Sequence, residues 1–195
     1  WHNRVDVAAR RAVMMGVSQL TWKISDMNAE NLGTEYFEVA WHSGARPSHA
    51  VWQGKVWSKK ELVTVCGLGT GPGLLGWNCY HEYYPFVKGI SERNWTDEWL
   101  AERNRKESIP KTFNGKEYTL YKARQQLRKM ETAMRAQREK AVLLKQGGAD
   151  PDDVIIAKAK YQGQLGEYTR FCKKMGLHQE RERIYYDMHG RVAPI

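Results

Sequence analysis

The sequence is poor in the features that define several large protein classes. Only three of its 195 residues are cysteines, and they lie far apart, which excludes a disulfide scaffold and favours a reducing compartment or a particle assembled in the cytoplasm. No run of about 18 apolar residues is present, so we expect no transmembrane helix and no membrane partner. The chain also lacks a signal-peptide pattern and an initiating Met, so we expect Trp1 to lie inside a longer gene product.

Several catalytic and ligand-binding motifs are missing too. The sequence contains no CxxC pair, no HExxH and no GxSxG nucleophile elbow. Five glycines lie within residues 66–76, but no Gly-Lys-Ser/Thr follows them, and Pro72 removes a backbone donor where a phosphate would need one. We therefore interpret this segment as a turned surface loop and not as a phosphate-binding loop.

The positive charge is concentrated in one stretch of the chain. The net charge is +9, and residues 101–145 alone carry 13 basic and 5 acidic residues, a net of +8. Such a stretch is typical of a surface that meets phosphates or an acidic partner, and equally of a solvated helix face. All eight tryptophans lie at or before Trp99, so the front half is aromatic and neutral and the back half is basic.

Residue patterns predict an α+β fold with an N-terminal helix, a small aromatic-rich sheet and a C-terminal basic αα-hairpin. Apolar residues at three- and four-residue steps predict a helix over 3–32. Aromatic and β-branched residues predict short strands, the last of them over 77–86. We divide the chain into 1–95, an aromatic α+β domain; 96–119, a short helix and β-hairpin connector; and 120–195, a helical hairpin with a basic face and a tail.

Two long helices joined by a short loop form the predicted hairpin. Gly147-Gly148 ends the first helix, and Asp150-Pro151 begins the second. The contact between them should include Ile155 and Ala159 of the second helix. Basic residues of the first helix recur at steps of four and seven, so they share a face that could follow the phosphates of double-stranded DNA without reading bases. The candidate DNA-binding residues are Arg124, Arg128, Lys129, Arg135 and Arg138.

The densest group of reactive side chains lies in residues 41–55 and 76–82. On a strand, Cys79 and His81 would share one face, and a short helix carrying His49 could pack against it. Cysteine and histidine together suit Zn²⁺, and a histidine can also activate a cysteine as a nucleophile. The interpretation that we favour is structural: these polar side chains hold a glycine-rich fold together. The candidate metal ligands are His42, His49, Cys79 and His81, and the candidate catalytic residues are Arg46, His49, Gln53 and Cys79.

The same blocks of sequence resemble a known protein family. The block Arg46-Pro47-Ser48-His49-Ala50-Val51-Trp52-Gln53-Gly54 and the segment Gly76-Trp77-Asn78-Cys79-Tyr80-His81 are similar to the phage minor capsid protein 2 family. The resemblance is to the C-terminal part of that family and covers most of the chain. A more distant similarity to Mu-F-like head-morphogenesis proteins rests on Arg46, His49, Gly54 and Asn78-Cys79.

This resemblance implies a virion-associated protein of the head of a phage or prophage, assembled in the bacterial cytoplasm. Its implied partners are the portal or major capsid protein and packaged double-stranded DNA. The resemblance implies no reaction, so we leave open whether the protein is an enzyme, favour a non-enzymatic role and expect no cofactor. The alternative is a hydrolase, nuclease or toxin-like enzyme domain centred on His49, Cys79 and His81, with zinc as its metal.

Overall fold

A computed structural model of the protein describes residues 5–185. The chain divides into two compact units, Trp1–Lys106 and Glu107–Ile195, here called the N-terminal and C-terminal units. The last ten residues of the predicted tail lie outside the described residues. None of the helices within residues 5–185 combines the length and the hydropathy that crossing a bilayer requires.

The N-terminal unit combines a long helix with a small antiparallel sheet. Its elements are α1 (Val5–Asn31), β1 (Tyr36–Val39), α2 (Pro47–Ala50), β2 (Val56–Ser58), α3 (Lys59–Thr64), β3 (Tyr83–Phe86) and α4 (Asp97–Ser108), whose last two residues lie past the unit boundary. The strand order is β2-β1-β3, and Phe37 of β1 pairs with Trp57 on one side and Pro85 on the other. The end of α1 is fixed to this sheet, because the buried Ser25 hydroxyl donates to the carbonyl of Tyr83.

The C-terminal unit is a helical hairpin preceded by a β-hairpin. Its elements are β4 (Lys111–Phe113), β5 (Lys116–Tyr118), α5 (Leu120–Gln146), α6 (Pro151–Met175) and α7 (Glu182–Tyr185). Asn114 and Gly115 both have positive φ, as a two-residue hairpin turn requires. Asp150 caps α6, and Gly176 ends it in the left-handed conformation. The predicted α+β class, with its N-terminal helix and C-terminal αα-hairpin, is confirmed.

Three details differ from the sequence-based expectations. The predicted strand 77–86 is a strand only over Tyr83–Phe86, because the chain before it turns through Asn78, which has a φ of 52°. Ile155 and Ala159 are exposed, and α6 instead buries Tyr161 and Tyr168, whose large rings fill the space between the helices. The sequence analysis also does not predict α3, a six-residue helix that begins with a Ser58–Glu61 capping box.

Candidate metal centre

His49 is held at a fixed point by the short helix α2 and the turn after it. Pro47 begins α2, and the carbonyl of His49 accepts hydrogen bonds from the backbone of both Trp52 and Gln53. Gly54 then reverses the chain with a φ of +70°, and a Cβ there would lie 2.5 Å from a methyl carbon of Leu100. His49 is only 2% exposed.

The glycine-rich loop closes tightly upon itself and leads to Cys79. A Cβ on Gly73 would lie 2.1 Å from the carbonyl oxygen of Gly67, and one on Gly76 would lie 2.2 Å from that of Gly71. Only glycine fits such approaches. The loop is therefore a tight turn, and the carbonyl of Pro72 lies 2.8 Å from Nε2 of His49.

The side chains of His49, Cys79 and His81 converge on one point. The two Nδ1 atoms are 3.4 Å apart, and the sulfur of Cys79 lies 3.8 Å from Nδ1 of His49 and 3.5 Å from Nδ1 of His81. Both histidines are buried and Cys79 is half-buried. The structure thus brings together three of the four candidate metal ligands, although Cys79 and His81 reach the point from a turn and not from a strand.

The outer nitrogens of both rings are hydrogen-bonded to oxygen atoms. Nε2 of His49 lies 2.8 Å from the Pro72 carbonyl, and Nε2 of His81 lies 2.8 Å from Oε1 of Gln53. The backbone N–H of His42 donates to the same Oε1, which fixes the orientation of the amide. Because these oxygens only accept, each Nε2 carries the hydrogen and each Nδ1 of a neutral ring presents a lone pair to the cluster.

Burial controls the protonation of these groups. It lowers the pKa of His49, and it lowers the pKa of His81 to about 3, with the neighbouring His42 and His49 as smaller causes. Both rings are therefore neutral at pH 7. Burial also raises the pKa of the Cys79 thiol, which is the opposite of what a thiolate nucleophile requires.

The remaining candidates of this region lie around the cluster. The ring of His42 packs edge-to-face on His81 with centroids 4.9 Å apart, but its nitrogens are outside the group of converging atoms. Arg46 donates to the carbonyl of Trp77, so it bridges α2 and the end of the glycine-rich loop. Gln53 is 1% exposed and orients His81. Residue type alone does not predict the hydrogen bond from His49 to Pro72, because the acceptor is a main-chain carbonyl.

Three of the five candidate DNA-binding residues are engaged by their own unit. Arg138 is completely buried, with its guanidinium 5.6 Å from the ring centroid of Tyr161 and 4.8 Å from that of Tyr185. Arg128 pairs with Glu131 and Glu180. Arg135 donates to the Arg183 carbonyl, and the remaining two candidates, Arg124 and Lys129, are exposed.

Comparison with known proteins gives one result. No curated protein and no solved structure matches the chain. The family model described as Phage minor capsid protein 2 matches residues 2–172, which include nearly all of the N-terminal unit, most of the C-terminal unit and the whole cluster of His49, Cys79 and His81. The chain therefore belongs to the phage minor capsid protein 2 family, which gives it a structural role in the phage particle.

Proposed function

We propose that this protein acts in head morphogenesis as a virion component that docks onto the portal or the major capsid protein through the apolar side of α1. The observation that carries this proposal is a stripe of exposed apolar side chains on that helix. Each is between 49% and 65% exposed, whereas such residues are ordinarily buried. The stripe consists of Val13, Val17, Leu20, Ile24 and Met27.

The spacing of the stripe indicates the kind of surface that would cover it. Its residues follow one another at steps of four, three, four and three, so they lie within about 40° of one line on the helix. This is the spacing of the contact positions in a coiled coil, which take apolar side chains from a facing helix. A helix of the portal or major capsid protein, assembled with this chain in the bacterial cytoplasm, would remove the stripe from water.

The test is binding of the purified protein to its cognate portal and major capsid proteins. Replacing Val17 and Leu20 by Glu should abolish co-purification with the partner and incorporation into heads, because two charges would enter an apolar contact. The control replaces Gln19 and Asn28 by Glu, which adds the same charge at exposed polar positions of α1. Retained binding by the Val17 and Leu20 variant, or no binding of the wild type to either partner, contradicts the proposal.

A second function, contact with packaged double-stranded DNA, is supported by three lysines of α5. Lys122, Lys129 and Lys140 are exposed and lie within about 20° of one line on the helix, on the side turned away from α6. No ion pair occupies them in the described part of the chain. They form a more accessible cationic surface than Arg128 and Arg138, which are engaged inside the unit.

Salt dependence tests this second function. If the three lysines contact phosphates, replacing them by Gln should reduce the slope of log affinity against log salt by about 3. The control replaces Lys160, Lys173 and Lys174, exposed lysines of α6, by Gln. An unchanged slope in the α5 variant, or an equal reduction in both, contradicts a DNA contact through this line of lysines.

A further inference from the structure

We propose that the N-terminal unit binds one Zn²⁺ ion through Nδ1 of His49, Sγ of Cys79 and Nδ1 of His81. This inference is independent of docking through α1 and of any DNA contact. It rests on the geometry of three buried or half-buried side chains, one from α2 and two from the segment before β3.

The separations between the three atoms are those of ligands on a tetrahedral ion. With Zn–N bonds of about 2.0–2.1 Å and a Zn–S bond of about 2.3 Å, two nitrogens lie about 3.4 Å apart and a nitrogen and a sulfur about 3.6 Å apart. The corresponding distances in the protein are 3.4 Å between the nitrogens and 3.5 and 3.8 Å from the sulfur to each. An ion fits between them with little movement of any side chain.

The hydrogen-bond pattern around the cluster also calls for a cation. Both Nε2 atoms donate outward, so two Nδ1 lone pairs face one another at 3.4 Å with no hydrogen between them. The thiol of Cys79 has a single hydrogen and can satisfy only one of them. A divalent ion accepts all three lone pairs once Cys79 loses its proton, which passes to solvent on binding.

The groups behind the ligands match those found at protein metal sites. A histidine that binds a metal commonly donates its second ring N–H to a carbonyl or carboxylate oxygen, which holds the ring and raises its basicity. Pro72 and Gln53 supply such oxygens at 2.8 Å to His49 and His81. The donor set of two imidazoles and one thiolate favours Zn²⁺ over Mg²⁺ or Ca²⁺, which prefer oxygen.

The ion would join α2 to the segment between the glycine-rich loop and β3. His49 belongs to α2, Cys79 follows the glycine-rich loop, and His81 precedes β3. Three protein ligands leave the fourth tetrahedral position to water. The ion thus closes the loop against α2 and keeps one coordination position accessible to a further ligand.

Metal analysis of the full chain, purified with an affinity tag free of histidine, tests the site. We expect one zinc per chain in the wild type. Competition with a chelator should show affinity at least about 100-fold weaker for Cys79→Ser and His81→Gln, and about 10- to 100-fold weaker for Gln53→Leu. Cys66→Ala and His178→Gln, which alter the same residue types elsewhere, should retain the wild-type stoichiometry and affinity.

Cobalt substitution keeps the test decisive if a variant folds poorly. Wild-type protein loaded with Co²⁺ should show a thiolate-to-cobalt charge-transfer band, and Cys79→His should bind Co²⁺ without that band because it replaces sulfur by nitrogen. Folded wild-type protein that takes up no stoichiometric Zn²⁺ overturns the proposal. So does a Cys79→Ser variant that binds Zn²⁺ as tightly as the wild type.

Discussion

The two units of this protein are stabilised in different ways. The C-terminal unit is built from long helices whose contact buries aromatic side chains such as Tyr168 and Phe171, and its buried carboxylate Glu131 is paired with Arg128. The N-terminal unit has strands of three or four residues, and its shape depends on glycine turns and on the cluster of His49, Cys79 and His81. Regular helices tolerate many residue types at each position, whereas close backbone approaches and converging polar atoms tolerate few.

This contrast applies to one of the sequence blocks on which the family resemblance rests. The block Arg46–Gly54 contains a residue that bridges to Trp77, a buried histidine, the glutamine that orients His81 and a glycine in contact with Leu100. These four of the nine positions have contacts that a different residue would lose, whereas Pro47, Ser48 and Val51 are exposed. The candidate site therefore lies in the unit with less regular structure.

The largest expected effect is the loss of an aromatic ring from the core of the C-terminal unit. Phe171 is completely buried, and its ring makes edge-to-face contacts with Phe113 and Tyr118. Phe171→Ala should lower the free energy of unfolding by about 3–5 kcal/mol. Because all eight tryptophans lie at or before Trp99, far-UV circular dichroism should shift in urea more than tryptophan fluorescence does. Ile156→Ala, at an exposed position of α6, is the control, and equal shifts of both signals would contradict the comparison.

The next largest expected effect is the loss of the ion pairs that Arg128 of α5 makes with Glu131 and Glu180. Glu131 is 1% exposed and Arg128 is its partner, so Arg128→Ala leaves a buried carboxylate without its counter-charge. We expect a loss of about 2–3 kcal/mol, below the usual cost of breaking a buried pair because Arg128 is itself partly exposed. Urea unfolding followed by circular dichroism measures it. Arg124→Ala, at an exposed basic position of the same helix, should change stability by less than about 0.5 kcal/mol.

The same ion pairs set the direction of a pH dependence. The hydrogen bonds from Arg128 lower the pKa of Glu180 below its ordinary value of 4.5. The stabilisation is therefore complete above pH 4.5 and is lost as the pH falls through the lowered pKa of the folded protein. The stability lost between pH 7 and pH 3 should be smaller in Arg128→Ala than in the wild type. An equal loss in both would mean that other carboxylates control the acid sensitivity of this unit.

Local chemistry made much of the fold predictable, and long-range contacts account for the rest. The β-hairpin within residues 96–119, which turns at Asn114-Gly115, and the start of α6 at Asp150-Pro151 need only neighbouring residues, and the sequence analysis predicts the hairpin and the helix start. The burial of Arg138 depends on Tyr185, which lies 47 residues away along the chain. The helical periodicity predicts that the arginines share one exposed basic face. It cannot show that a later segment of the chain packs over part of that face.

The candidate site also combines features that residue type predicts with features that depend on long-range contacts. Residue type alone identifies His49, Cys79 and His81 as candidate metal ligands, because imidazole and thiolate groups bind metals. The strand expected to align Cys79 and His81 is a turn, so their meeting depends on the glycine-rich loop. The hydrogen bond from His49 to the Pro72 carbonyl cannot be predicted from residue type, because every residue has a backbone carbonyl. Only the folded structure shows it.

A smaller effect tests the glycine turns of the N-terminal unit. Gly73→Ala would place a Cβ 2.1 Å from the carbonyl oxygen of Gly67, so the loop must open. We expect a loss of about 1–3 kcal/mol, reported by tryptophan fluorescence. Gly16→Ala is the matched control, because Gly16 lies in α1 with no atom within 4 Å of an added Cβ. It should stabilise the protein by about 0.5–1 kcal/mol. Equal effects of the two substitutions would show that the loop is not held by close backbone contact.

The smallest expected effect is the loss of a helix-capping hydroxyl, which can be tested once in each unit. Ser58 caps α3 in a reciprocal box with Glu61, whereas Thr119 caps α5 with a single hydrogen bond, accepted from the backbone of Lys122 at 3.4 Å. A six-residue helix depends on its cap more than a 27-residue helix packed along its length. Ser58→Ala should therefore cost about 1 kcal/mol, seen by tryptophan fluorescence, and Thr119→Ala about 0.5 kcal/mol, seen by circular dichroism. If Thr119→Ala lowers the free energy of unfolding as much as Ser58→Ala does, local hydrogen bonds stabilise both units equally. The two units would then differ only in how their cores are packed.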